Sequence, residues 1–144
     1  MSKATGIIHQ AGVIAYRRVK AETQILLLTS RGTGRWLIPK GHIDPGFTPA
    51  EAGRQEAYEE AGVRGVIEGE LPLGFYHYFK RQDSGAERPA TVEVYVLRVT
   101  KQLKTWPEMH ERQQSWQLPS HAVAMVPNPG LRQLIHRFAE IIAR

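Results

Sequence analysis

Gly41-His-Ile-Asp44-Pro-Gly46-Phe47-Thr48-Pro49-Ala-Glu51-Ala-Gly-Arg54-Gln55-Glu56-Ala57-Tyr58-Glu59-Glu60-Ala-Gly62-Val63 reads as a Gly/Pro loop running into one short helix. Thr48 suits the N-cap, Pro49 the first helical position, and Glu51 completes a capping box with Thr48. Gly62 marks a stop in a left-handed cap. Glu56, Glu59 and Glu60 then fall at i, i+3 and i+4 and share one face, with Cβ atoms roughly 5–6 Å apart. Three negative charges at that spacing repel one another and weaken the helix unless a cation sits among them. A hard divalent ion with oxygen ligands, Mg²⁺ or Mn²⁺, meets that need. A solvated acidic face is the competing reading of any charge run. The loop ahead of the helix and the glycine behind it argue for a built site.

Working outward, 144 residues suit one domain, 1–144, with room for a real core. The 42% hydrophobic and 23% charged fractions are those of a globular protein. With no cysteine, disulfides and thiolate metal sites are excluded. Ile25–Leu28 is too short to span a bilayer and no signal-like run begins the chain, so no membrane partner is expected and the cytoplasm is the expected compartment. The formal charge of +5 favours anionic partners in general and fits a phosphate-rich small molecule and weak nucleic-acid contact equally. The sequence sets no oligomeric state.

Residues 6–16 predict one or two strands broken near Gly12, followed by the basic cluster Arg17, Arg18 and Lys20, a solvated turn or a phosphate contact. Residues 23–29 predict a buried strand. Ser30-Arg31-Gly-Thr-Gly34-Arg35 is a Gly-rich basic loop able to cradle phosphate, without the Lys-Ser/Thr ending of a Walker loop. Residues 36–41 read as a short strand, with Trp36 assigned to the core. Residues 63–67 predict a further strand. In 71–81, Phe75, His77 and Phe79 face one way and Tyr76 and Tyr78 the other; His77 among aromatics is assigned a structural role. Residues 82–88 predict a hairpin. Residues 90–100 alternate cleanly, Val92, Val94 and Val96 against Glu93, Tyr95 and Leu97. Residues 101–116 read as a loop, and after a break at 127–130 a helix carries Leu131, Leu134, Ile135, Phe138, Ile141 and Ile142 on one stripe.

The 41–63 segment resembles the signature of the Nudix hydrolase superfamily, Gly-x5-Glu-x7-Arg-Glu-U-x-Glu-Glu-x-Gly-U, with U a bulky aliphatic residue. Gly41, Glu56, Glu59, Glu60, Gly62 and Val63 match. Phe47 stands in place of the first Glu, Gln55 in place of the Arg, and Ala57 in place of an aliphatic residue. Losing both charges together leaves no lone buried charge. Arg35-Trp36, Ile38-Pro39, Trp106-Pro107-Glu108, Glu111-Arg112 and Trp116 resemble the diphosphoinositol polyphosphate phosphohydrolase branch.

The resemblance implies an α/β/α sandwich, a mixed sheet between helices with a loop-helix-loop signature segment. It implies metal-dependent hydrolysis of a diphosphate linkage, with Glu56 and Glu60 as metal ligands, Glu59 as ligand or base, and the backbone carbonyl of Lys40 as a further ligand. A carboxylate from a later loop is expected as ligand or general base, Glu111 first and Glu108 second. Arg31, Arg35, Lys40, Arg88 and Arg112 form the pool for substrate phosphates. The substrates implied are a diphosphoinositol polyphosphate, which wants many cations, or a dinucleoside polyphosphate, which wants a stacking ring such as Tyr76, Tyr78 or Trp106. An RNA 5′-end pyrophosphohydrolase, and a Nudix-fold module that binds or senses its ligand without turnover, are the alternatives.

Overall fold

The computed structural model describes residues 6–143. Residues 1–5 and 144 of the expected domain lie outside that part. The most apolar runs, 11–16, 25–28 and 92–97, lie in adjacent strands buried on both faces. Val13, Ala15, Leu26, Leu28, Tyr95 and Leu97 feed one core, while Ile14, Tyr16, Ile25, Leu27, Val92 and Val94 feed the other. Near-continuous apolar runs are what strands covered on both sides require. The first core is closed by Ala57 and Ala61 of α1 (Pro49–Ala61), the second by Ala122 of α2 (Pro119–Met125) and Leu131, Leu134, Ile135 and Phe138 of α3 (Pro129–Ile142). The expected α/β/α sandwich is therefore observed.

The strands are β1 (Ile8–Val19), β2 (Glu22–Thr29), β3 (Trp36–Leu37), β4 (Lys40–His42), β5 (Val63–Glu68), β6 (Gly74–Arg81), β7 (Glu87–Gln102) and β8 (Gln114–Gln117). β1 and β7 pair in parallel from Ile8↔Ala90 to Tyr16↔Arg98, and every other pairing is antiparallel. Each of these two long strands changes its outer partner midway. β1 carries β4 at Gln10–Gly12 and β2 at Tyr16–Val19; β7 carries β6 up to Val94 and β5 from Val96. Between β4 and β2 the edge of β1 is closed by Val13, whose N–H donates to Pro39 O at 3.1 Å. The 36–42 stretch therefore turns away from the sheet at this point, beside α1.

Several expectations change. β1 runs unbroken through Gly12, because β7 supports it from Ile8 to Tyr16, and on to Val19 beside β2. Trp36–Gly41 is two short strands rather than one, and Trp36 only borders the core. β8 and α2 were not expected: β8 covers the free edge of β2 at Ile25–Leu28, and α2 has no side-chain cap. On α3 Ile141 falls off the expected stripe at 47% exposed, while Ile142 is partly buried against the core.

Candidate active site

Local chemistry fixes α1 at both ends. Thr48 Oγ1 accepts from Glu51 N at 3.1 Å and Glu51 Oε1 accepts from Thr48 N at 2.8 Å, which is the capping box. Gly62 ends the helix at φ +69°, donating to Tyr58 O at 3.0 Å. The hydrogen bond that holds Glu51 keeps its carboxyl below the usual range. One helix face is thereby aimed at β4.

Gly41 explains the first glycine of the motif, because a Cβ there would overlap the carboxylate carbon and oxygens of Glu56. Next to it, Glu60 is buried; its Oε1 accepts from Lys40 N at 3.2 Å and its Oε2 from Arg112 at 3.3 Å. Burial, then the charges of Glu60, Glu59 and Glu108, push the Glu56 carboxyl up to about 8. Burial pushes Glu60 up to about 7 against the pull of Arg112 and Lys40. Lys40, largely buried with its Nζ 4.6 Å over the Tyr78 ring, is lowered by burial and partly restored by Glu60. Burial is the leading cause of all three shifts, and crowding by other carboxylates adds to it at Glu56.

The 103–113 loop is fastened to the C-terminal end of α1. Leu103 N donates to Gly62 O (2.8 Å), Glu108 N to Glu59 O (3.0 Å) and Gln114 Nε2 to Ala61 O (2.8 Å). A Cβ on Gly62 would strike the Trp106 ring, so that glycine serves both the cap and the docked loop. Sequence reasoning missed this docking; the signal available was the set of unpaired carbonyls that every helix end presents.

Docking decides which loop carboxylate reaches the cluster. Glu108, the second choice, stands 3.2 Å from Arg112 and raises both Glu56 and Glu60. Glu111, the first choice, pairs with Arg31 at 2.7 Å in an exposed contact. Arg112, expected on substrate phosphate, is instead a buried partner of Glu60 and Glu108. Arg31 and Arg35 stand exposed in the Gly-rich loop. Arg88 sits at the β6–β7 hairpin, donating to Gly6 O at 2.8 Å. Arg17 is a strand residue stacked 4.1 Å over Trp116 rather than part of a basic turn.

The proposed stacking rings already have neighbours. Tyr76 is 3% exposed, Tyr78 lies under Lys40, and Trp106 covers Gly62. His77 is exposed and contacts Thr91 Oγ1 at 2.9 Å, in keeping with a structural role. Phe47 is 41% exposed, lining a cavity of about 340 Å³ with Arg54 and Gln55 of α1 and with Arg64. Gln55 instead donates its amide to Glu59 Oε2 at 2.8 Å.

The donors gathered here are oxygens, as Mg²⁺ or Mn²⁺ requires. The Glu56 carboxylate lies against Gly41 with Glu60 beside it, and burial raises both carboxyls. In donor chemistry the residues fit. Among the described residues, however, no three His, Asp or Glu side chains already stand in a metal-holding arrangement. Oxygens of Glu59 and Glu60 are engaged by Gln55 and Arg112.

Known proteins resemble this chain in sequence and fold. The NUDIX domain family model matches residues 8–138. Nudix hydrolase 12, mitochondrial, of Arabidopsis thaliana is 28% identical over 92% of this chain and 72% of its own length. Diphosphoinositol polyphosphate phosphohydrolase 2 of Rattus norvegicus is 36% identical over 70% of this chain and 51% of its own. Among solved structures, a C. elegans Ap4A hydrolase binary complex superposes with a TM-score of 0.71 at 22% identity, covering 95% of this chain and 98% of that one, which bears on the fold alone. The match spans the sheet, the carboxylate helix and the covering helices together, and the chain belongs to the Nudix hydrolase family.

Proposed function

We propose that the chain is a divalent-metal-dependent hydrolase of a diphosphate linkage in a phosphate-rich small molecule. The observation that carries this is the Glu56–Glu60 pair, pressed against Gly41 and Lys40 with both carboxyls driven upward. Glu56 and Glu60 would hold the ion, with Glu59 as third ligand or base and the Lys40 carbonyl as the family's further donor. A bound divalent ion neutralises phosphate charge and lowers the pKa of a coordinated water. The protein's remaining task is positioning and electrostatics. Lys40, with its ammonium beside the carboxylates, and Arg31 and Arg35, at the loop that faces Glu111, supply cations for the remaining phosphates. Glu108 is better placed than Glu111 as the loop carboxylate.

Between the two substrate classes we favour a diphosphoinositol polyphosphate over a dinucleoside polyphosphate, because Tyr76 is buried and Tyr78 and Trp106 already pack against Lys40 and Gly62. The named rat relative supports the same choice. Among the described residues no helix is long and apolar enough to cross a membrane. We place the enzyme's work in the cytoplasm, while relatives designated mitochondrial make cell fractionation the deciding measurement.

A second reading, a module that binds without turnover, draws on Glu59 and Glu60 being engaged by Gln55 and Arg112. The test is phosphate or nucleotide release from a panel of diphosphoinositol polyphosphates, dinucleoside polyphosphates and 5′-triphosphorylated RNA with Mg²⁺ or Mn²⁺. Turnover should fall by more than about a hundredfold in Glu60→Gln, more than is lost with a residue that only hydrogen-bonds to a ligand. Tight binding without turnover on any member would favour the binding module.

A further inference from the structure

The side chain of Arg112 is 9% exposed and lies inside the carboxylate cluster. One nitrogen is shared between Glu60 Oε2 at 3.3 Å and Glu108 Oε1 at 3.2 Å, while another reaches Thr29 O at 3.3 Å. Its Nε is buried without a hydrogen-bond partner. These are single, long contacts rather than the bidentate fork that makes an arginine–carboxylate pair strong. The backbone holds the guanidinium there: Thr29 N donates to Gln113 O (3.1 Å), Gln113 N to Thr29 Oγ1 (2.9 Å) and Glu108 N to Glu59 O (3.0 Å). Arg112 cannot swing out with its loop unless those bonds break.

We infer that Arg112 is a built-in counter-cation, which stabilises the carboxylate cluster in the absence of metal and competes with the divalent ion for Glu60. The inference rests on the metal-dependent reading above. A guanidinium within hydrogen-bonding reach of a ligand oxygen repels a divalent ion and occupies one of the lone pairs it needs. It also accounts for the lack of a ready-made three-carboxylate set, since Glu60 and Glu108 are both drawn to the guanidinium. Removing the guanidinium alone leaves buried anions uncompensated. The metal-free fold weakens and the pull on metal grows.

The experiment is a Mn²⁺ titration read by electron paramagnetic resonance of the unbound ion, without substrate, on the wild type, Arg112→Gln, Arg112→Lys and Glu60→Gln. It is run at about pH 8, so that a proton does not simply replace the guanidinium on Glu60. Arg112→Gln should bind Mn²⁺ at least about tenfold more tightly, and Arg112→Lys, which keeps the charge, within about threefold of wild type. The thermal midpoint of Arg112→Gln should be lower than wild type without metal and rise further with it. If that variant is unfolded without metal, circular dichroism in saturating Mn²⁺ takes over: recovery of the fold supports the inference, and a chain that stays unfolded overturns it. Equal or weaker Mn²⁺ binding by Arg112→Gln, with wild-type binding lost in Glu60→Gln, overturns the counter-cation and leaves metal dependence standing. No saturable Mn²⁺ binding by wild type or Arg112→Gln overturns both.

Discussion

The 41–63 segment and the 103–113 loop both furnish charged groups to one site, yet they are built in opposite ways. The first is specified locally: Thr48 and Glu51 start α1, Gly62 stops it, and Gly41 makes room for Glu56, all within 22 residues of one another. The second is specified by what it touches. Glu108 N, Leu103 N and Gln114 Nε2 find the carbonyls that α1 leaves open, and Trp106 lies on the glycine that ends it. The helix carries the negative charge, and the loop returns a positive one through Arg112. A site made of one self-determined part and one dependent part should fail most readily at the joint.

That joint is Gly62. Gly62→Ala places a side chain at φ +69° and drives its Cβ into the Trp106 ring. Together these should cost about 2–4 kcal/mol, roughly 1–2 for the left-handed backbone and the rest for overpacking. Urea unfolding gives the number. The comparison is sharpened by repeating Gly62→Ala in a Trp106→Ala background, where only the backbone cost should remain, a coupling a double-mutant cycle isolates. An equal cost in both backgrounds would mean that the ring is not what the glycine accommodates.

The same contrast explains what could be read from the sequence. The capping box, the Gly62 stop, the face shared by Glu56, Glu59 and Glu60, and the strand over 90–100 rest on short-range spacing, and all are present. Continuity of β1 through Gly12, the existence of β8 and the burial of Arg112 depend on partners about 80 to 90 residues away. Gln114-Ser-Trp-Gln117 has no strand periodicity; it is a strand because the backbone of β2 needs partners on that edge. Glu111 and Glu108 differ by less than one helical turn in sequence. Only the docking of Glu108 N on Glu59 O decides which of them faces the carboxylates.

An intermediate effect separates the helix's charge from the loop's. Glu56 and Glu60 are raised to about 8 and about 7 from the ordinary 4.5. The folded chain therefore holds protons there that the unfolded chain has already released. Its stability is fully present below the unfolded carboxyl range and is lost as pH rises from about 4.5 to 8. The metal-free thermal midpoint should fall across that window, and saturating Mg²⁺ should flatten the slope by supplying the charge that the protons supplied. A metal-free midpoint that rises between pH 5 and 8 would show that Arg112 and Lys40 already neutralise the cluster.

The smallest effect is expected where the motif departs most from its family. An exchange of the Glu/Arg pair for Phe47 and Gln55 suggests an apolar contact in place of an ion pair, and hence that Phe47→Glu alone should destabilise the fold. Phe47 is 41% exposed, and its cavity neighbours include Arg54 and Arg64, so a carboxylate there would meet water and positive charge. Phe47→Glu should therefore change stability by no more than about 0.5 kcal/mol, as surface substitutions do. Adding Gln55→Arg should restore nothing, because nothing was lost. What it should change is the hold on Glu59, where a neutral amide 2.8 Å from Oε2 would give way to a cation. A loss above about 1 kcal/mol in Phe47→Glu, recovered in the double variant, would break this account and return Phe47 to the role of a packed substitute.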